Sequence, residues 1–256
     1  MELVSPILRY EDLSWRAELQ AMFENIESYC SFTTNRSCGT HVHISPGVGL
    51  MWSIGDLKKI ACAILHFEKA WNVIVPVARR YNKYAKSNRF DNPKLAMKTD
   101  AQCIEAVNAC ESSVTIADLM NNDGDRYFGW NLTNLYYGQK MTVEFRRGPG
   151  VQDFGTCEAW VALAVTFIQA ARQAETVMDV IGFSANVEGL RAFIHEGLEE
   201  IGEQVGGIDS LFDGKTGAIQ VSPIGQLSAT ELEKLRQKKA KDDKKNFMVK
   251  KIQKTS

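Results

Sequence analysis

Two short stretches with a strict alternation of polar and apolar residues constrain the fold of this chain most. They are residues 39–45, GTHVHIS, and residues 142–147, TVEFRR. Successive side chains of a β-strand point to opposite faces of its sheet. We therefore expect two strands of one sheet, each with an apolar face packed in the core and a polar face left open. The chemically versatile residues predicted on the open face are His41, His43, Glu144 and Arg146.

The rest of the chain predicts helices that alternate with strands. Strands are expected at 2–8, 39–45, 127–133 and 141–147, with a hairpin connection at 136–139 before the last one. Helical spacing of apolar residues and N-cap residues predict helices that begin near residues 12, 53, 99 and 113, and others at about 155–180 and 187–203. This order indicates an α+β fold in which a mixed or antiparallel sheet carries helices on one face.

The charge of the chain is unevenly distributed. Residues 234–254 contain ten Lys or Arg and two Asp, about +8, although the whole chain has a net charge of −1. The remainder is therefore acidic, near −9. We predict an α+β domain at 1–225 and a basic helical tail at 226–256. The tail is either a solvated terminal helix or a contact surface for RNA or another polyanion.

The composition favours a soluble cytoplasmic protein. Apolar residues make up 45% and charged residues 24%, and no apolar run approaches the ~20 residues of a membrane span. The first residues lack the pattern of a secretory signal. The six cysteines are scattered without Cys-x-x-Cys, which favours reduced thiols over a disulfide framework or a zinc site. The phosphate-binding loop and the Gly-x-Ser-x-Gly elbow motifs are both absent.

The polar face allows several interpretations. His41 and His43 could contact a ligand or phosphate in an active site, stabilise loops through hydrogen bonds, or bind a metal together with Glu144. Glu144 suits a hard cation such as Mg²⁺, and Arg146 suits a phosphate or carboxylate. The alternative for this pair is a solvated cross-strand salt bridge. Cys38 could act as a nucleophile, or be incidental. Further candidates for binding the substrate are Glu2, Ser45, Asn131 and Arg147.

These stretches resemble the amidoligase family, a branch of the carboxylate–amine ligases with a glutamine synthetase-like sheet. The similar segments are 2–7 (ELVSPI), 37–45 (SCGTHVHIS), 131–132 (NL) and 142–146 (TVEFR), in the order of the family. The family usually has an earlier strand pair with a Gly-x-Glu-x-Glu pattern. Because this sequence starts with the segment at Glu2, the resemblance is to an N-terminally shortened sheet without its first strands.

The resemblance implies amide-bond formation dependent on ATP and Mg²⁺. ATP would phosphorylate a carboxylate, and an amine would attack the resulting acyl phosphate. Glu144 would bind the metal with Glu2 as an additional ligand, Arg146 would hold phosphate or the substrate carboxylate, and the histidines would line the phosphate side. Such chemistry consists mainly of positioning and charge neutralisation.

Two alternatives remain open at this stage. The first is ATP-independent formation of a dipeptide or cyclodipeptide from aminoacyl-tRNA, similar in logic to fungal arginine-containing cyclodipeptide synthases. In that case no cofactor is needed, a histidine is the general base, Glu144 could hold a cationic amino acid, and the basic tail contacts tRNA. The second is a non-catalytic relative that binds an amino-acid-like ligand.

Overall fold

The computed structural model describes residues 3–12, 14–31, 33–136, 141–201, 207–224 and 228–253. The chain forms two compact units, Met1–Pro223 and Ile224–Ser256. The strands are β1 (Gly39–Ile44), β2 (Trp130–Asn131) and β3 (Val143–Pro149). The helices are α1 (Ser14–Tyr29), α2 (Ile54–His66), α3 (Glu68–Ile74), α4 (Val77–Arg80), α5 (Asp100–Asn108), α6 (Ser113–Met120), α7 (Phe154–Gln173), α8 (Val177–Gly182), α9 (Val187–Ile201) and α10 (Ala229–Gln253). The predicted α+β class is confirmed.

The three strands form an antiparallel sheet in the order β1-β3-β2. Glu144, on the central strand, is the register partner of His43 on one side and of Asn131 on the other. A bulge between Thr40 and Val42 contains His41, and a bulge changes the direction of a side chain. The register thus gathers polar residues from all three strands around one carboxylate.

One face of this sheet is covered by helices, as the alternation predicts. Phe145 and Trp130 are fully buried and contact Trp71 of α3, with ring centroids 5.5 and 5.9 Å apart. Phe145 also stacks on Trp160 and Trp130 on Phe167, both from α7. Aromatic pairs at these distances add to the free energy of apolar burial. They fix the sheet rigidly over α3 and α7.

The predicted helix starts are confirmed where the sequence carries capping residues. Ser53 accepts a hydrogen bond from the Asp56 backbone N–H, and Thr99 forms a capping box with Gln102, so both satisfy backbone N–H groups that a helix start leaves unpaired. The helix predicted from about residue 53 towards Pro76 is interrupted at Phe67, which separates α2 from α3. The helix predicted at 155–180 is likewise divided into α7 and α8.

Two strand predictions are wrong in whole or in part. Residues 3–9 have no regular secondary structure, and Val4 and Ile7 are exposed; an alternating pattern specifies a strand only where a partner strand lies beside it. The strand predicted at 127–133 is reduced to β2. Ahead of β2, the backbone N–H of Gly129 donates to the carbonyl of Lys86 instead. Glu2 and residues 137–140 of the predicted hairpin lie outside the described residues.

Helix α7 has the length and apolarity that could cross a membrane, alone among the helices in the described ranges. More than half of its apolar window is buried inside the protein, as in the core helix of a soluble protein. All six cysteines are free thiols. In the second compact unit, α10 carries most of the basic residues of the tail.

Candidate functional site

Glu144 is the centre of the polar face. Its Oε1 accepts a hydrogen bond from Arg146 Nη1 at 2.6 Å, and its Oε2 accepts one from Asn131 Nδ2 at 2.7 Å. All three side chains are buried. Since Arg146 lies two residues further along the same strand, the alternation of β3 brings this ion pair to one face.

Two imidazoles lie on the solvent side of the same carboxylate. His41 Nδ1 is 3.5 Å and His43 Nε2 is 3.6 Å from Glu144 Oε1. Their side chains are 38% and 42% exposed, whereas that of Glu144 is only 5% exposed. A ligand from solvent can therefore reach the imidazoles directly, and the carboxylate acts behind them. We call His41, His43, Glu144 and Arg146 the active-face cluster.

The hydrogen bonds of Asn131 favour the ionised form of Glu144. Asn131 Oδ1 accepts from both the backbone N–H and the hydroxyl of Thr133, so its Nδ2–H₂ group must be the one that donates to Glu144. Burial raises the pKa of Glu144, but Arg146, His43, His41 and the Asn131 hydrogen bond together lower it below its usual value. The carboxylate is thus ionised over the physiological pH range.

His41 is a neutral imidazole at neutral pH. The His41 ring is only partly exposed, and this partial desolvation lowers the pKa of His41 to about 4, helped by the positive charges of Arg146 and Arg79 and opposed by Glu144. A neutral imidazole has one nitrogen that can accept a proton. His41 is therefore available as a general base.

His43 belongs to a hydrogen-bond network that the sequence pattern only partly reveals. Its Nδ1 is 3.2 Å from Thr142 Oγ1 and 3.4 Å from Asn134 Nδ2. Thr142 directly precedes β3, and the alternation of the strand places it on the side of Glu144. Asn134 comes from the 3₁₀ turn Thr133–Leu135, and no feature of the sequence distinguishes it from neighbouring asparagines.

Arg79 of α4 is a second cation near the cluster that sequence reasoning missed. Its guanidinium donates hydrogen bonds to the backbone carbonyls of Cys38, Arg146 and Arg147. It thereby links the residue before β1 to β3. Burial lowers the pKa of Arg79 to about 10, so it remains a cation at neutral pH. The sequence offers no signal for this contact, which depends on how α4 packs against the sheet.

Among the other predicted residues, Arg147 lies away from the cluster. Arg147 lies on the helix-covered face, because it is one residue out of phase with Glu144 and Arg146, and it pairs there with Glu68 and Asn72 of α3. Ser45 is exposed one residue beyond β1. Glu2 lies outside the described residues. The Cys38 carbonyl accepts a hydrogen bond from Arg79. The Cys38 thiol lies 3.9 Å from Asn35 Oδ1.

The cluster does not by itself fit a magnesium ion. Both oxygens of Glu144 already accept short hydrogen bonds, and within the described ranges no three His, Cys, Asp or Glu side chains are grouped so that they could hold a metal. Mg²⁺ requires near-octahedral oxygen ligands. Arg146 and Asn131 therefore compete with such an ion for the two oxygens of Glu144.

Comparison with known protein families shows which family this chain belongs to. The family described as "putative amidoligase enzyme" matches residues 1–168. The chain belongs to this family. The matched range contains the whole active-face cluster, together with Arg79, Asn131 and Asn134. Comparisons with curated proteins and with solved structures gave no match. The amidoligase family name indicates a ligase that forms amide bonds.

Proposed function

We propose that this protein is an enzyme that forms an amide bond between an acyl group and an amine at the active-face cluster. One observation carries the proposal: an ionised, buried glutamate lies behind two solvent-accessible imidazoles, in a chain of the amidoligase family. A carboxylate that orients an imidazole and stabilises its protonated form is a recurrent arrangement for general-base catalysis.

The chemistry follows from the positions of these side chains. The nitrogen of the amine attacks the carbonyl carbon of an activated acyl group, so that a C–N bond forms and the bond from that carbon to the leaving-group oxygen breaks. The proton lost by the amine moves to an imidazole, and Glu144 stabilises the resulting positive charge. Asn131 keeps Glu144 oriented, and exposed Ser45 is placed to contact the substrate beyond β1.

ATP is the source of activation in the first version of this proposal. It would supply an acyl phosphate, and membership of the amidoligase family supports it. Arg146 and Arg79 give the site the positive charge that suits a phosphorylated substrate. We assign no step to Mg²⁺, because the described residues of the cluster do not fit that ion.

The second version uses aminoacyl-tRNA, whose ester is already activated. Two observations favour it: both Glu144 oxygens are engaged by protein groups rather than left for a metal, and the tail bears a charge of about +8 between residues 234 and 254. Lys and Arg bind the phosphates of nucleic acids without reading sequence. The free thiols are compatible with action in the cytoplasm, where charged tRNA is found.

Parallel incubations of the purified protein with an amino-acid mixture separate these versions. One incubation contains ATP and Mg²⁺, and the other contains charged tRNA without ATP; products are identified by mass spectrometry. A new amide only with ATP supports the ligase, and a new dipeptide only with charged tRNA supports the second version. No product in either, together with binding of amino acids in calorimetry, would indicate a non-catalytic relative.

A further inference from the structure

The two imidazoles of the active-face cluster present different nitrogen atoms to the same oxygen. His41 faces Glu144 Oε1 with Nδ1, and His43 faces it with Nε2. Because Glu144 is an anion, the nitrogen that faces it is the one that carries the hydrogen. A neutral imidazole has one N–H group. The second nitrogen, Nε2 in His41 and Nδ1 in His43, is then without a hydrogen.

The surroundings of His43 agree with this assignment. Asn134 Nδ2 is 3.0 Å from Thr142 Oγ1, and Thr142 Oγ1 is 3.2 Å from His43 Nδ1. If the amide donates to the hydroxyl, the hydroxyl is free to donate to the imidazole. The chain of donors then runs from Asn134 through Thr142 and His43 to the carboxylate. Every group in it donates towards the negative charge.

The charges around His41 keep the imidazole neutral. The groups that face it are Glu144 and Arg146 from β3, Arg79 from α4 and His43 from β1. The negative charge of Glu144 is already balanced by Arg146 at 2.6 Å, and Arg79 adds a further positive charge. Within the described residues no hydrogen bond reaches His41 Nε2. This atom belongs to a side chain that is 38% exposed, so an amine can approach it.

We propose that the two histidines have separate roles: His41 accepts the proton of the attacking amine on Nε2, and His43 is locked with its hydrogen on Nε2. Thr142 and Asn134 are the positioning residues that maintain this lock. The proposal rests on the proposed amide formation and assigns its base. The proton leaves the amine nitrogen as the C–N bond forms, and Glu144 stabilises the imidazolium of His41 from the Nδ1 side.

Nitrogen NMR tests the lock without any substrate. In protein labelled with ¹⁵N-histidine, long-range proton–nitrogen spectra at neutral pH distinguish Nδ1–H from Nε2–H tautomers, and His41→Asn and His43→Gln assign the signals. We expect His41 as the Nδ1–H form and His43 as the Nε2–H form. Thr142→Val should turn His43 into a mixture of tautomers, and Thr142→Ser should restore it.

The matched control for that variant is Thr40→Val. The Thr40 hydroxyl donates to the carbonyl of Pro149, away from the imidazoles, so both signals should stay in place. Finding His43 as the Nδ1–H form, or unchanged in Thr142→Val, would overturn the lock. Because this readout needs no turnover, its result is independent of whether the proposed function holds.

Activity then tests the two roles. Asparagine places an N–H group where His41 has Nδ1, and glutamine places one where His43 has Nε2, so both variants keep a donor towards Glu144. His41→Asn lacks the proton acceptor and should lose amide formation roughly 100-fold or more. His43→Gln should stay within about tenfold of the wild type, an effect well below that of losing a general base. Equal losses in the two variants, or a larger loss in His43→Gln, would overturn the assignment.

Discussion

Two arginine–carboxylate pairs lie on opposite faces of β3, one residue apart in sequence. Arg146 pairs with Glu144 on the polar face, where two exposed imidazoles share the carboxylate. Arg147 pairs with Glu68 of α3 under the helices, where both side chains are at most 4% exposed. The first pair is in contact with groups that solvent reaches. The second is closed off from any ligand.

The difference shows how one strand serves both function and stability. Burial lowers the pKa of Arg147 to about 9, which reflects the cost of keeping a charge in the core. A buried ion pair repays that cost only with good geometry, and losing one partner leaves the other uncompensated. We interpret the Arg147–Glu68 pair as a contact that holds β3 against α3. We interpret the Arg146–Glu144 pair as part of the proposed active site.

The largest effect is expected from breaking the covered pair. Arg147→Ala should lower the free energy of unfolding by roughly 3–5 kcal/mol, because it leaves the Glu68 charge buried without its partner. Urea denaturation measures this. Replacing both partners, Glu68→Leu with Arg147→Met, should recover most of the loss, because it removes both charges. A loss below about 1 kcal/mol, as for an exposed pair, would contradict the comparison.

The sequence predicts the local elements better than their pairing. Helices α2 and α5 could be predicted because Ser53 and Thr99 make their capping hydrogen bonds within the same segment. The strand expected at 2–8 is absent from residues 3–8, since an alternating pattern contains no information about a neighbouring strand. For the same reason, the lengths of β2 and β3 differ from the prediction.

Some residues of the candidate site could likewise be predicted from local sequence, and others could not. The period of two in a strand places His41 and His43 on one face of their strand and Glu144 and Arg146 on one face of theirs, and the pairing of β1 with β3 then brings the two sets together. The same rule assigns Arg147 to the covered face, and it pairs there with Glu68. The prediction that Arg147 contacts the substrate did not follow this alternation. Arg79 and Asn134 could not be predicted, because α4 and a 3₁₀ turn reach the sheet only through tertiary packing.

The next effect concerns the exposed pair. Glu144→Gln should reduce amide formation roughly 100- to 1000-fold, because a neutral amide cannot stabilise an imidazolium as a preorganised charge does. Product formation in the incubation that supports turnover measures it. The matched variant is Glu68→Gln, which should lower stability but leave the rate per folded molecule unchanged. Full activity in Glu144→Gln would remove the distinction between the two pairs.

A smaller effect sharpens the structural side of the comparison. A Cβ added at Gly129 would overlap Arg147 Nε, so Gly129→Ala must displace the arginine and should cost about 1–3 kcal/mol. In Gly55→Ala, within α2, the new Cβ is 3.8 Å from its nearest neighbour, Ser53 Oγ, and stability should be equal or slightly higher. Thermal unfolding compares the two variants. Equal midpoints would mean that Arg147 does not pack tightly against Gly129.

The smallest effect is the pH dependence of the exposed pair. Burial raises the pKa of Glu144, whereas Arg146, the two histidines and the Asn131 hydrogen bond lower it, so the net shift below 4.5 is the difference of opposing causes. The folded protein then binds this proton more weakly than the unfolded chain does. Its contribution to stability is present above pH 4.5 and is lost as the pH falls through the lower pKa of the folded state.

Comparing the wild type with Glu144→Gln isolates this contribution. The carboxyl groups of Asp12, Asp179 and Asp209 also have lowered pKa values, but they titrate equally in both proteins and cancel in the difference. The stability advantage of the wild type should therefore be constant near neutral pH and shrink in acid. An advantage that grows in acid would mean that the folded protein binds this proton more tightly than the unfolded chain does, so that Arg146 and Asn131 do not stabilise the anion. In that case the pairing of Glu144 with Arg146 would not prepare an anion behind the imidazoles, and the contrast between the two pairs on β3 would be lost.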